Sequence, residues 1–156
     1  MKKGFTLLEL VIVFGIILAI SAVTFASLAT RKINTDLTST TQQIATLLRQ
    51  AQSDAMNQEG DVSWGVHFSN ATATSPFYAL FTTSYSTTTV VGNPYQLPTT
   101  VAYQTSTLGV GSTTDVIFSP ISGFASASTS IGLYLPKEST AFSSTISIAS
   151  SGSVSY

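Results

Sequence analysis

Met1-Lys2-Lys3-Gly4-Phe5-Thr6-Leu7-Leu8-Glu9-Leu10 opens the chain and runs into an apolar stretch that ends at Ala29. From Phe5 to Ala29 the only charge is Glu9. As a helix this run would extend about 37 Å, enough to cross a hydrocarbon core of about 30 Å with some tilt. An ordinary secretory signal has a shorter apolar core followed by small residues at a cleavage site. Ala26-Ser27-Leu28-Ala29 is a poor match to such a site. An uncleaved signal anchor would account for the length but not for Glu9. Hydrocarbon cannot solvate a carboxylate, and the cost is roughly 2.5–3.5 kcal/mol at a helix centre. The flanking charges do not orient the segment, because Lys2 and Lys3 on one side balance Arg31 and Lys32 on the other.

The pattern Lys2-Lys3-Gly4-Phe5-Thr6-Leu7-Leu8-Glu9-Leu10 closely resembles the class III signal of type IV pilin-like proteins. The resemblance implies that a prepilin peptidase cuts between Gly4 and Phe5, with Lys2 and Lys3 as the basic residues of the leader, and then N-methylates Phe5. It also implies that the apolar helix stays on the mature chain and packs into the core of a filament. Glu9 then forms an assembly ion pair with the Phe5 ammonium of a neighbouring subunit. Such a pairing makes physical sense, because a buried charge is tolerated when an opposite charge compensates it. It would also set axial register, as buried polar groups do in helix bundles.

Beyond Ala29 the pattern stays helical but becomes one-sided. Ile33, Leu37, Ile44, Leu47, Leu48 and Ala51 recur at spacings of three, four and seven, with Asn34, Asp36, Gln42, Gln43, Arg49 and Gln50 on other faces. Gly60 is the expected stop signal. A continuous helix from Phe5 to about Asn57 would be roughly 80 Å long. Many pilins carry a proline in the middle of this helix, whereas this chain has none before Pro76.

The 156 residues fit one domain plus an anchor. Only 8% are charged, and about three in ten carry a hydroxyl. From Asp61 onward the chain reads as short strands. Val62, Trp64, Val66 and Phe68 alternate with Ser63, Gly65 and His67, which predicts a half-buried strand. Further strands are expected at 77–83, at Val90-Val91, and at 101–105, 115–119 and 131–135. A final hairpin of 145–149 with 153–156 should turn about Ser151-Gly152. Residues 70–76 and 108–114 read as loops. The fold class expected is therefore α+β and pilin-like, with a long N-terminal helix on an antiparallel sheet or a two-sheet sandwich. The boundaries expected are a leader at 1–4, a transmembrane or filament-core helix at 5–29, its amphipathic continuation at 30–58 and a β-rich head at 59–156.

Three further stretches are similar to the minor pseudopilin H family of type II secretion and related minor pilins. They are Leu48-Arg49-Gln50-Ala51-Gln52-Ser53-Asp54-Ala55 before a strand carrying Trp64, Val116-Ile117-Phe118-Ser119-Pro120 with Gly123, and the ending from Ile146 through Gly152 to Ser155. Where the family usually carries arginine after the last glycine, this chain has Ser153. The segment from Thr72 to Thr114 matches no known pattern. The resemblance implies a structural subunit of a type II secretion pseudopilus or a type IV pilus. Its partners would be other pilin or pseudopilin subunits, a prepilin peptidase and an inner-membrane assembly platform. The location would be the bacterial inner membrane with the head outside the cytoplasm, and later the filament. A major pilin, or a minor pilin acting as an adhesin or in DNA uptake, is the alternative.

The composition argues against other classes. There is no cysteine, so disulfides and thiolate metal sites are excluded. The net charge is −1, and loss of Lys2 and Lys3 makes it −3. Arg31, Lys32, Arg49 and Lys137 are too few and too dispersed for strong phosphate binding, which argues against nucleic acid as a partner. His67 is the only histidine and is expected at the surface, with no cue tying it to a nucleophilic serine. Asp54, Glu59 and Asp61 fit no metal-loop spacing and read as a solvated turn. Trp64 is expected in the core. No enzyme activity, cofactor or metal is expected.

Overall fold

The computed structural model describes residues 6–137 and 142–156, without the side chains of residues 22–31, 33 and 59. The fold is α+β. One helix, α1 (Leu7–Met56), precedes a short 3-10 turn at Glu59–Asp61 and eight strands. These are β1 (Trp64–Ser69), β2 (Phe77–Thr82), β3 (Tyr95–Gln96), β4 (Ala102–Tyr103), β5 (Thr113–Phe118), β6 (Thr129–Tyr134), β7 (Ser143–Ile148) and β8 (Val154–Ser155). They form two four-stranded sheets in the orders β3-β2-β1-β5 and β4-β6-β7-β8, with every pairing antiparallel. The chain divides into two compact units, Met1–Thr35 and Asp36–Tyr156.

In the first unit, the apolar side chains from Leu7 to Ile20 are exposed. The span expected at 5–29 includes Phe5 and side chains from 22 onward that lie outside the described residues. Among the described residues, no helix is long and apolar enough to cross a membrane.

In the second unit, the amphipathic stripe is buried as its spacing predicts. Leu37, Ile44, Leu47, Leu48 and Ala51 lie inside, joined by Ala45 and Ala55. Ile33 lies outside the described side chains. Each aliphatic residue fully buried in this way contributes about 1.5–3 kcal/mol. Thr41 is also buried in the helix, and its hydroxyl donates to the Leu37 carbonyl at 2.9 Å, which satisfies it locally. The helix ends at Met56. The left-handed position after it is taken by Gln58 (φ 54), and Gly60 (φ 72) follows inside the 3-10 turn.

Strand β1 departs from expectation. All six of its residues are buried, so it is not half-buried, and His67 (5% exposed) is not a surface residue. On one face Val66 and Phe68 join the core with Val116 and Phe118 of β5. On the other, Tyr85 folds back and stacks on His67, with ring centroids 3.4 Å apart and planes 3° from parallel. The hydroxyl-rich run before Val90 makes this return turn. Ser86 N–H donates to Thr89 Oγ1 at 2.9 Å, and Thr89 Oγ1 donates to the Ser84 carbonyl at 2.6 Å. Gly65 lies on the same face, where a Cβ would come within 2.7 Å of both the Phe81 ring and the Val116 carbonyl.

Other strands shift modestly. The strand expected at Val90-Val91 is a single bridge between Val90 and Phe81. Tyr95–Gln96, where no strand was expected, forms the edge strand β3. β5 begins at Thr113, inside the stretch read as a loop. Between β1 and β5, buried Asn70 organises the chain: its amide donates to the Leu108 carbonyl at 3.0 Å, and its own carbonyl accepts from Gly111 N–H at 2.7 Å.

Tyr103 of β4 links the sheets. Its ring meets Phe68 edge-on at 6.3 Å, and its hydroxyl donates to the Phe77 carbonyl at 3.0 Å. Burial pushes the Tyr78 hydroxyl from 10.0 up to about 12, with the Tyr95 phenol adding to the shift. Burial, and then Tyr78, also raise Tyr103. A raised pKa means that the fold favours the neutral phenol. The stability from these two groups is therefore fully present below pH 10 and lost as pH rises through the folded values. Denaturation curves taken across this range should show declining stability, with the Tyr78 ring signal in NMR titrating near 12. Ionisation of Tyr78 at its ordinary value of 10.0 would contradict this packing.

Candidate functional site

The helix start is built by Thr6 and Glu9. Thr6 Oγ1 accepts the backbone N–H of Glu9 at 3.2 Å, and the Thr6 carbonyl accepts Leu10 N–H at 3.3 Å. Thr6 thus caps the helix, with Glu9 three residues on, the spacing of a capping box. Glu9 is exposed and lies in the first turn, where the positive end of the helix dipole favours a carboxylate. The sequence reading gave Glu9 an intersubunit partner and not this cap, although Thr6-x-x-Glu9 has the spacing of one. Lys2, Lys3, Gly4 and Phe5 lie outside the described residues.

The three head stretches singled out in the sequence converge at the C-terminal turns of α1. Gln52 Nε2 donates to the Gly123 carbonyl at 3.2 Å. The Ala55 carbonyl accepts Ile121 N–H at 3.1 Å. Arg49 donates to the Val154 carbonyl at 3.1 Å and lies 5.4 Å from the Tyr156 ring centroid. Ala125 N–H reaches the Ser150 carbonyl at 3.1 Å, which ties the Gly123 turn to the last hairpin. Both glycines are required here. Gly123 has φ +64, and a Cβ would meet Met56 Cγ at 2.7 Å. Gly152 has φ +86, and a Cβ would fall 2.2 Å from the Gly123 carbonyl oxygen. Spacing alone gave no signal for this clamp, because its members are about seventy and one hundred residues apart in sequence.

The remaining candidates lie apart from this clamp. His67 Nδ1 lies 2.5 Å from Asp115 Oδ1, and Phe77 and Tyr85 flank the ring. This pairs a buried imidazole with a cross-strand carboxylate, and among the described residues no nucleophilic side chain is hydrogen-bonded to the ring. Trp64 is in the core, as expected. Among the described residues, no group of three His, Asp or Glu side chains could hold a metal ion, and the Glu59 side chain lies outside them.

Gly152→Ala should cost more than Gln52→Ala in thermal or chemical unfolding. The first forces a backbone clash and strain of roughly 1–3 kcal/mol. The second removes one hydrogen bond of about 1 kcal/mol. The reverse order would contradict the clamp.

No curated protein and no solved structure matches this chain. A family model, Type II transport protein GspH, matches residues 40–152. That span contains the first two of the three head stretches, the last as far as Gly152, and both clamp glycines. The chain belongs to the GspH family of type II transport proteins, and so to the pilin-like minor pseudopilins.

Proposed function

We propose that the chain is a minor pseudopilin stored in the inner membrane and built into the type II secretion pseudopilus through its N-terminal helix. The family match over residues 40–152 carries this reading and favours secretion over a type IV pilus, an adhesin or a DNA-uptake subunit. In this proposal the divisions are a leader at 1–4, an anchoring and filament-core helix at 5–29, its amphipathic half at 30–58 and a head at 59–156. The protein acts as a structural subunit and not as an enzyme.

Prepilin peptidase would cut between Gly4 and Phe5 and methylate Phe5. The new terminus would then stand one residue before the Thr6 cap. The exposed apolar side chains from Leu7 to Ile20 support burial elsewhere, first in lipid and then among the helices of neighbouring subunits. Inside such a bundle Glu9 needs compensation, because an unpaired buried charge costs several kcal/mol. The Phe5 ammonium of a neighbouring pseudopilin supplies it. The inner-membrane assembly platform would receive the chain in this processed form.

Mass spectrometry of the chain from cells with a working secretion system should show a terminus at Phe5 carrying one methyl group. A terminus at Met1, or a cut near Ala29, would overturn the reading. Glu9→Ala should leave membrane insertion intact but abolish recovery of the chain in sheared or overproduced pseudopili. Undiminished incorporation would show that the carboxylate has no assembly role.

A further inference from the structure

A groove of about 370 Å³ lies between α1 and the β2–β3 edge. Its volume falls within the range of about 300–1,000 Å³ typical of small-ligand sites. On the helix side it is lined by Ser39, Gln42, Gln43, Thr46 and Gln50. Spacings of three, four, seven and eleven from Ser39 put these residues on one helix face. Tyr78 and Tyr95 line it from the sheet. The groove has no charged lining residue.

Part of this lining is already fixed. Tyr78 donates to Gln43 Oε1 at 3.3 Å, and Gln43 Nε2 donates to Ser39 Oγ at 3.1 Å. Tyr78 also stacks on Tyr95, with centroids 5.4 Å apart and planes 14° from parallel. The rest is open. Tyr95 is 50% exposed. Gln42 and Gln50 are exposed, and among the described residues their side-chain amides make no hydrogen bond.

A ligand for this groove must satisfy uncharged amides that both donate and accept, and must lay an apolar face on an aromatic ring. A sugar ring does both: its hydroxyls donate and accept, and its C–H face is apolar. An added peptide strand fits less well. The edge strand β3 has only two residues and is flanked by Pro94 and by Pro98 just beyond Leu97, which removes backbone donors on either side. Nucleic acid would need cations that the groove lacks. We propose that this groove binds a neutral oligosaccharide, with one ring laid on the open side of Tyr95 and its hydroxyls held by Gln42 and Gln50.

The test uses the full chain in a detergent with no sugar headgroup. It is titrated with malto-, cello- and chito-oligosaccharides and, separately, with a short uncharged peptide. At least one saccharide should cause saturable NMR shifts in the Gln42 and Gln50 side-chain amides and the Tyr95 ring. Tyr95→Ala should weaken that binding about tenfold, the loss of one aromatic contact, whereas Tyr95→Phe should keep it within about twofold. Tyr95→Phe, which keeps the stack on Tyr78, should melt like the parent chain, and Tyr95→Ala, which gives it up, should melt somewhat lower while staying folded at the temperature of the titration. Three results would overturn the proposal: no saturable shift with any saccharide, shifts that survive Tyr95→Ala unchanged, or saturable binding of the peptide alone.

Discussion

Covering the apolar surface of one fifty-residue helix is the constraint on which the rest of this molecule depends. From Leu37 to Ala55 the chain covers it itself: the stripe is buried in the compact unit that also holds both sheets. From Leu7 to Ile20 the apolar side chains are exposed. Water is a poor medium for such a surface, because apolar area buried elsewhere is worth about 25 cal/mol per Å². The helix thus has a half that the chain stabilises and a half that needs an outside partner. The proposed passage from lipid into a filament calls for this property.

The second half is more than a greasy contact. Gln52, Arg49 and the Ala55 carbonyl fasten the last turns of α1 to two separate turns of the head, at Gly123 and near Gly152. A subunit that transmits load along a filament through its helix needs such an attachment. The family match takes in Arg49, Gln52, Ala55 and both clamp glycines, and stops two residues short of Val154, which Arg49 holds.

The helix was legible because its signal is periodic and long. The stripe from Leu37 to Ala51 was read from spacing, and the structure buries those residues. Most strands were legible where β-branched and aromatic residues alternate, as in β2 and β6. Three features were not, each for a physical reason. β3 is two residues between prolines, too short to show a period. Val90-Val91 has strand propensity, but the Ser86–Thr89 turn leaves it only one bridge. β1 reads as half-buried because alternation predicts one wet face, yet Tyr85 returns over that face and stacks on His67. That contact is tertiary and leaves no trace in local pattern. At the N-terminus, Glu9 was legible as an anomaly and Thr6 as its cap was overlooked.

The capped start gives Glu9 two places to spend its charge: on its own helix terminus, or on a neighbour's ammonium. A cryo-EM reconstruction of the assembled pseudopilus that resolves side chains near the helix start would decide between them. Intersubunit pairing requires the Glu9 carboxylate within about 4 Å of the Phe5 nitrogen of an adjacent subunit. A Glu9 carboxylate turned back onto the Thr6 N–H of its own chain, with no neighbouring amine in reach, would contradict it.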